Sequence, residues 1–235
     1  MNDAQFKISI SKSIELLTTF SLFKSRGKKG IGNHSLNSKK IGKTNSINQI
    51  YSTAIENLDY EILLHDQSIF QFSNANGELR YAYIQNPHSF YTKEEYLNFI
   101  FTPDDLLAMD TDELNLLIED IDENQYEQFL NEQELNSQSN YFRYDASSIG
   151  YSPLIHSFSH LHIGLNQNVR IPVSLLLTPL KFTKFCIKNT YFDKWKKYAL
   201  GRVDLDKELS EIKKHCIKLN GTQWNAIEEN ELYLR

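Results

Sequence analysis

Between residues 140 and 176 the chain carries Arg143 and Asp145 two positions apart, His160 and His162 two positions apart, and then Arg170. Imidazoles exchange protons near neutral pH, and guanidiniums bind phosphate oxygens or developing anionic charge through paired N–H donors. Such a set suits phosphodiester cleavage without a metal. One histidine acts as base and the other as acid, Arg143 or Arg170 holds the phosphate, and Asp145 orients an imidazole. His160, His162 and Asp145 also have the ligand types of an open metal site, although histidines two apart on a strand stand far apart for one ion unless the strand bends. The plain structural alternative, an Asp145–arginine ion pair with the histidines hydrogen-bonded in an interior, stays open at this level.

For these side chains to meet, the segments bearing them must be paired strands. Stretches 140–146, 158–165 and 169–175 read as strands, the last two joined by a short turn at Asn166-Gln-Asn168. Side chains alternate across a strand, so Arg143 and Asp145 oppose Phe142 and Tyr144, His160 and His162 oppose Leu161 and Ile163, and Arg170 opposes Ile171. An antiparallel meander of the three lays the apolar faces against helices and gathers the ionisable ones on a single surface. His156, just before the second strand, can reach the same place. A histidine-triad arrangement is excluded, because its third alternating position is Gly164. His34, His65, His88 and His215 lack comparable company and read as ordinary.

The remaining pattern is that of an α+β protein: an antiparallel β-sheet packed against several helices, a single domain with a basic mobile loop near the N-terminus. With 235 residues, 40% of them hydrophobic, the chain can bury a real core. Residues 1–24 read as a helix with Phe6, Ile10, Ile14 and Leu17 on one face, 25–48 as a basic flexible loop, and 49–235 as one domain whose sheet core lies at about 60–84 and 140–176. Stretches 60–73 and 79–84 alternate around Asn74-Ala-Asn76-Gly77, a hairpin signal. Thr92 and Glu95 form a capping box, and Leu114, Leu117, Ile118 and Ile121 make an apolar stripe within an acidic helical stretch. Thr178-Pro179 opens a helix with Phe182, Phe185, Phe192, Trp195 and Ala199 on one face and Lys181, Lys184, Lys188 and Lys194 on a solvated one. A helix at about 204–219 and a short strand at 231–235 follow.

The net charge of −5 hides a polarity. Residues 1–48 hold nine Lys/Arg against Asp3 and Glu15, whereas 104–134 hold twelve acids and no Lys or Arg. Lys28, Lys29, Lys39, Lys40 and Lys43 are therefore the candidate nucleic-acid contacts, RNA before DNA, and the acidic helices a candidate surface for a protein partner encoded nearby. Gly42-Lys43-Thr44 is not a phosphate loop, since Asn37 stands where that motif's first glycine would be and no apolar strand precedes it. Two cysteines, Cys186 and Cys216, without a CxxC suggest neither disulfides nor a thiolate zinc site, which fits a reducing cytoplasm. No apolar run reaches the roughly 18 residues that span a membrane. No cofactor is called for.

The run Tyr141-Phe-Arg-Tyr-Asp145, His156, Ser159-His-Leu-His-Ile-Gly164, Arg170-Ile-Pro172 and Leu177-Thr-Pro179 resembles the bacterial family known as domain of unknown function 2290, over about residues 140–192. That family's pattern leads to expect a His-Pro step before the alternating histidines, where this chain has His156-Ser157. An Arg-Tyr-Asp strand followed by a histidine pair is also similar to the small TumE-type toxins. These resemblances imply a nucleic-acid-directed effector of a toxin or phage-defence system. The alternative expectation is a non-catalytic accessory subunit that binds a partner protein or nucleic acid in a defence complex.

Overall fold

A computed structural model describes residues 1–35, 46–88, 90–133, 139–165 and 169–235. The expected contacts Lys39, Lys40 and Lys43, and the turn at 166–168, lie outside the described residues. The chain groups into two compact units, residues 1–85 with 140–235, and residues 86–139, a finer division than the single domain read for 49–235.

The larger unit is built on a seven-stranded antiparallel meander in chain order: β1 (Phe23–Arg26), β2 (Ile62–Leu64), β3 (Ile69–Ala75), β4 (Glu78–Ile84), β5 (Tyr141–Ala146), β6 (Ser159–Ile163) and β7 (Arg170–Pro172). The β3–β4 hairpin turns through Asn76 and Gly77, at φ 55° and 80°. Two positive φ values in a two-residue loop match the twist of the strands it joins, and Asn-Gly adopts them readily. The 60–73 run is not one strand. It breaks between β2 and β3 at Gln67 (φ 63°), where the Asp66 carboxylate accepts the Ser68 amide.

One face of the sheet carries Phe70, Phe72, Tyr81, Tyr83, Phe142, Tyr144 and Leu161, all buried. Against it lie α1 (Asp3–Thr19), through Phe6, Ile10, Ile14 and Leu17, and α7 (Pro179–Thr190), through Phe182, Cys186 and Ile187. Both helices start as their sequences direct, α1 in an Asn2/Gln5 capping box and α7 with Thr178 as cap ahead of Pro179. The opposite face divides. Its outer half, with Ile69, Ile84 and Tyr141, is covered by α2 (Ile47–Glu56) through Ile50, Tyr51 and Ala54, and the other half holds the ionisable residues.

Two expectations change here. The aromatic stripe after Thr178 is split: α7 ends where the Tyr191 hydroxyl binds Asp66 and Tyr83, and α8 (Phe192–Ala199) starts in a new register that leaves Phe192 60% exposed. Lys184, expected on a solvated face, is buried in an ion pair with Glu208 beside the Trp195 and Tyr198 rings. α9 (Leu205–Lys214) supplies Glu208, and β9 (Ile217–Lys218) after it pairs with β8 (Leu175–Leu176), which precedes α7, in a two-stranded ribbon. Within 231–235 only Leu234 bridges, to Val173.

Residues 27–35, expected to be loose, are strapped to the sheet. Gly27 and Lys29 amides donate to Glu61 and Tyr60, the Ile31 carbonyl accepts from Asn74, and the Asn33 carbonyl accepts from Ser73 Oγ. A Cβ on Gly27 would stand 1.9 Å from the Tyr60 carbonyl oxygen, so only glycine permits this approach.

The smaller unit contains α3 (Lys93–Ile100), α4 (Pro103–Ala108), α5 (Thr111–Asp120) and α6 (Glu123–Glu132). The Thr92/Glu95 capping box forms as read, and Tyr96, Tyr126 and Leu130 make a small core with Tyr91 and Phe129. No described helix is long and apolar enough to cross a membrane.

Candidate active site

Register builds the site. On the same face, beyond the Ile69, Ile84 and Tyr141 row, Gln71, Ala82, Arg143, His162 and Arg170 stand in one row across five strands. Ser73, Arg80, Asp145, His160 and Pro172 stand in the next. The five residues singled out in the sequence, Arg143, Asp145, His160, His162 and Arg170, therefore share two adjacent rows, and all line one cavity of about 330 Å³.

Their centre is a single carboxylate oxygen. Asp145 Oδ2 accepts from Arg143 Nε at 2.8 Å, and His162 Nε2 and His160 Nε2 stand 3.4 Å and 4.0 Å from it. Both imidazoles are buried, their side chains 3% and 4% exposed. The two rings, expected to stand too far apart for a shared partner, are 4.9 Å between centroids and edge to face, because both lean toward the neighbouring strand's carboxylate. His160, His162 and Asp145 thus offer three ligand atoms within 4.8 Å of one another, the one such grouping among the described residues.

Hydrogen bonding sets the histidines apart. A carbonyl can only accept, so the Ser157 carbonyl 2.8 Å from His160 Nδ1 places that ring's proton on Nδ1 and its lone pair on Nε2. At His162 the ionised carboxylate beside Nε2 favours the proton there, and Nδ1 is buried with no hydrogen-bond partner. Burial lowers the pKa of His160 to about 4 against the opposing pull of Asp145. Burial, aided by Arg143 and Arg170, also lowers that of His162. For Asp145, burial works against the charge, but the His162 contact and the Arg143 guanidinium outweigh it and hold the carboxyl at about 2. The resting site at neutral pH is one carboxylate between two uncharged imidazoles.

Arg170 is exposed, and no carboxylate lies within ion-pair distance of it among the described residues. His156 stands with its ring 5.0 Å from that of His160, Nδ1 donating to the Gly150 carbonyl. Gly150 has φ 76°, so its loop turns where side chains rarely permit it. Of the basic candidates, Lys28 is exposed, whereas Lys29 is turned inward, its ammonium bound to Glu61 and to the Phe72 carbonyl at 2.8 Å each. Lys29 is therefore an anchor of the strap.

Sequence reasoning passed over Arg80, Gln71 and Ser73, which line the cavity. It also set aside His34, which stands 3.5 Å from Glu78 while Glu78 holds Arg80 at 2.7 Å. The alternation of Glu78 and Arg80 along β4 was readable. What identifies them is the pairing of Arg80 with Asp145 across β4 and β5, which are separated by 56 residues of chain.

Neither the curated proteins nor the solved structures include a match to this chain. A family model does match, across residues 16–230, well beyond the 140–192 stretch that carries the motif resemblance. The chain belongs to the family described as "Uncharacterized conserved protein (DUF2290)".

Proposed function

We propose that this protein is a nucleic-acid-directed effector that cleaves RNA by acid–base chemistry without a metal. The observation that carries the reading is the pair of imidazoles converging on Asp145 Oδ2, in a cavity that Arg143 and Arg170 also line. RNA is favoured over DNA because it brings its own nucleophile, the 2′-hydroxyl, which a neutral imidazole can activate. His160 Nε2 takes the 2′-hydroxyl proton, the oxygen bonds to phosphorus, and the P–O5′ bond breaks. His162, as imidazolium, gives its proton to the departing 5′-oxygen. The incoming phosphodiester anion adds negative charge beside Asp145 and so favours that protonated state. Arg170 and Arg143 hold the non-bridging oxygens as charge builds on them. Each proton transfer contributes about 10²–10⁴ in rate.

The test is labelled RNA and DNA incubated with wild type and with the His160→Ala/His162→Ala double variant, each with and without chelator. Cleavage of RNA, indifferent to chelator and lost in the double variant, is the expected result; equal cleavage by both proteins sinks the reading. A toxin or defence setting rests on the similarity to TumE-type toxins, and growth arrest on expression of wild type but not of the double variant is its measurement.

A second reading, an accessory subunit that binds a partner protein, is favoured by the 86–139 unit. Residues 104–133 carry eleven acids and no Lys or Arg, and the same unit leaves Phe99, Ile100, Leu107 and Leu116 exposed. A basic, partly apolar partner fits such a surface. Co-purification with the product of a neighbouring gene, abolished by Leu107→Asp with Leu116→Asp, supports it.

A further inference from the structure

We propose that Asp145, His160 and His162 form a binding site for a transition-metal dication of zinc's type, and that the bound ion silences the cleavage by occupying the base's lone pair. The silencing rests on the acid–base reading above; the binding does not.

Zinc with bonds of about 2.0–2.2 Å places neighbouring tetrahedral ligand atoms about 3.3 Å apart. Asp145 Oδ2 and His162 Nε2 already stand at 3.4 Å, and His160 Nε2 at 4.0 Å from the same oxygen needs only a small ring rotation. Two of the three ligands carry the supports a metal site uses, and the third, His162, binds through Nε2 once its ring proton moves to the unpartnered Nδ1. The Ser157 carbonyl fixes the His160 ring with Nε2 free to bind, and Arg143 Nε steadies the carboxylate at 2.8 Å. Three protein ligands facing a cavity leave a fourth position open, the pattern of accessible rather than closed zinc sites. Two imidazoles among three ligands select zinc, copper or nickel over magnesium and calcium, which demand oxygen. The Arg143 and Arg170 guanidiniums repel a dication, so the ion is held more weakly than in a four-ligand structural site.

The experiment titrates the full chain with Zn²⁺ alone by calorimetry, with Mg²⁺ as contrast. One saturable zinc per chain is expected, weakened about 100-fold or more in His160→Ala and in Asp145→Asn and unchanged in His215→Ala, which alters an exposed histidine, with no heat from Mg²⁺. Far-UV dichroism checks that each variant is folded. Cobalt(II) on the wild type gives a readout free of any variant: a visible tetrahedral band without a sulfur-to-metal band supports the site. A sulfur band, or zinc binding that survives in both ligand variants, or no saturable binding, overturns it. In the RNA assay, inhibition by Zn²⁺ and recovery with chelator uphold both halves. Cleavage that requires Zn²⁺ keeps the binding site and overturns the silencing together with the acid–base reading.

Discussion

On one side of β5 and β6, Phe142, Tyr144 and Leu161 join α1 and α7 in the main core; on the other, His160 and His162 are equally hidden and Arg143 and Asp145 are half-buried. Burial stabilises the first side at about 25 cal/mol per Å² of apolar surface. On the second it costs free energy, because each ionisable group leaves water and only part of the loss is returned by pairing. His162 Nδ1, buried without a hydrogen-bond partner, marks where that return falls short. A protein selected for stability alone would fill this half with apolar side chains, as it does under α2, where Ile69 and Ile84 sit on the same face. The difference between the two sides is therefore the physical ground for assigning chemistry to one and architecture to the other.

That contrast can be broken or sharpened by experiment. The largest effect falls on rate: His160→Ala/His162→Ala lowers RNA cleavage by about 10⁴-fold, in single-turnover assays, while the far-UV spectrum is retained. The mirror experiment is Phe182→Ala on the apolar side. Phe182 is fully buried with its ring edge against Phe70 and Phe72, and its loss costs about 3–5 kcal/mol in denaturant unfolding. An unfolding midpoint unchanged by Phe182→Ala breaks the contrast.

A pH dependence comes next. Burial holds the folded-state pKa of His160 at about 4, below its ordinary 6.5. The unfolded chain therefore takes up this proton first as pH falls, and the stability present above pH 6.5 is lost between 6.5 and 4, by about 3 kcal/mol. Asp145, held at about 2, adds a further loss below its ordinary 3.8. Glu61 opposes the trend: burial raises it to about 7, so its contribution grows as pH falls through the same range. Chemical unfolding of wild type and His160→Ala at several pH values isolates the histidine, and identical slopes for the two would remove it from the account. The smallest effect is Arg170→Ala, which leaves stability unchanged and flattens the salt dependence of single-strand binding by about 0.7 in the log–log slope.

Much of this was legible in the chain because the strands announce themselves by alternation. Arg143/Asp145 and His160/His162 are on shared faces whatever the strand order, and adjacency in the chain made the β5–β6–β7 meander readable. The Asn76-Gly77 hairpin and the Thr178-Pro179 helix start were readable because each rests on local backbone chemistry. Long-range pairing was not legible. Nothing local to Arg80 says that it faces Asp145, and nothing local to Lys29 says that its ammonium meets Glu61, 32 residues on. The α7–α8 break escaped notice for the same reason, since it depends on Asp66 reaching Tyr191 across 125 residues.

The central claim, that the histidine pair uses the substrate's own 2′-hydroxyl, is tested most directly by the chemical ends of the RNA fragments produced by wild-type protein in chelator. Mass spectrometry should find 2′,3′-cyclic or 3′-phosphates paired with 5′-hydroxyls. Fragments with 5′-phosphates and 3′-hydroxyls, or intact RNA, would contradict it.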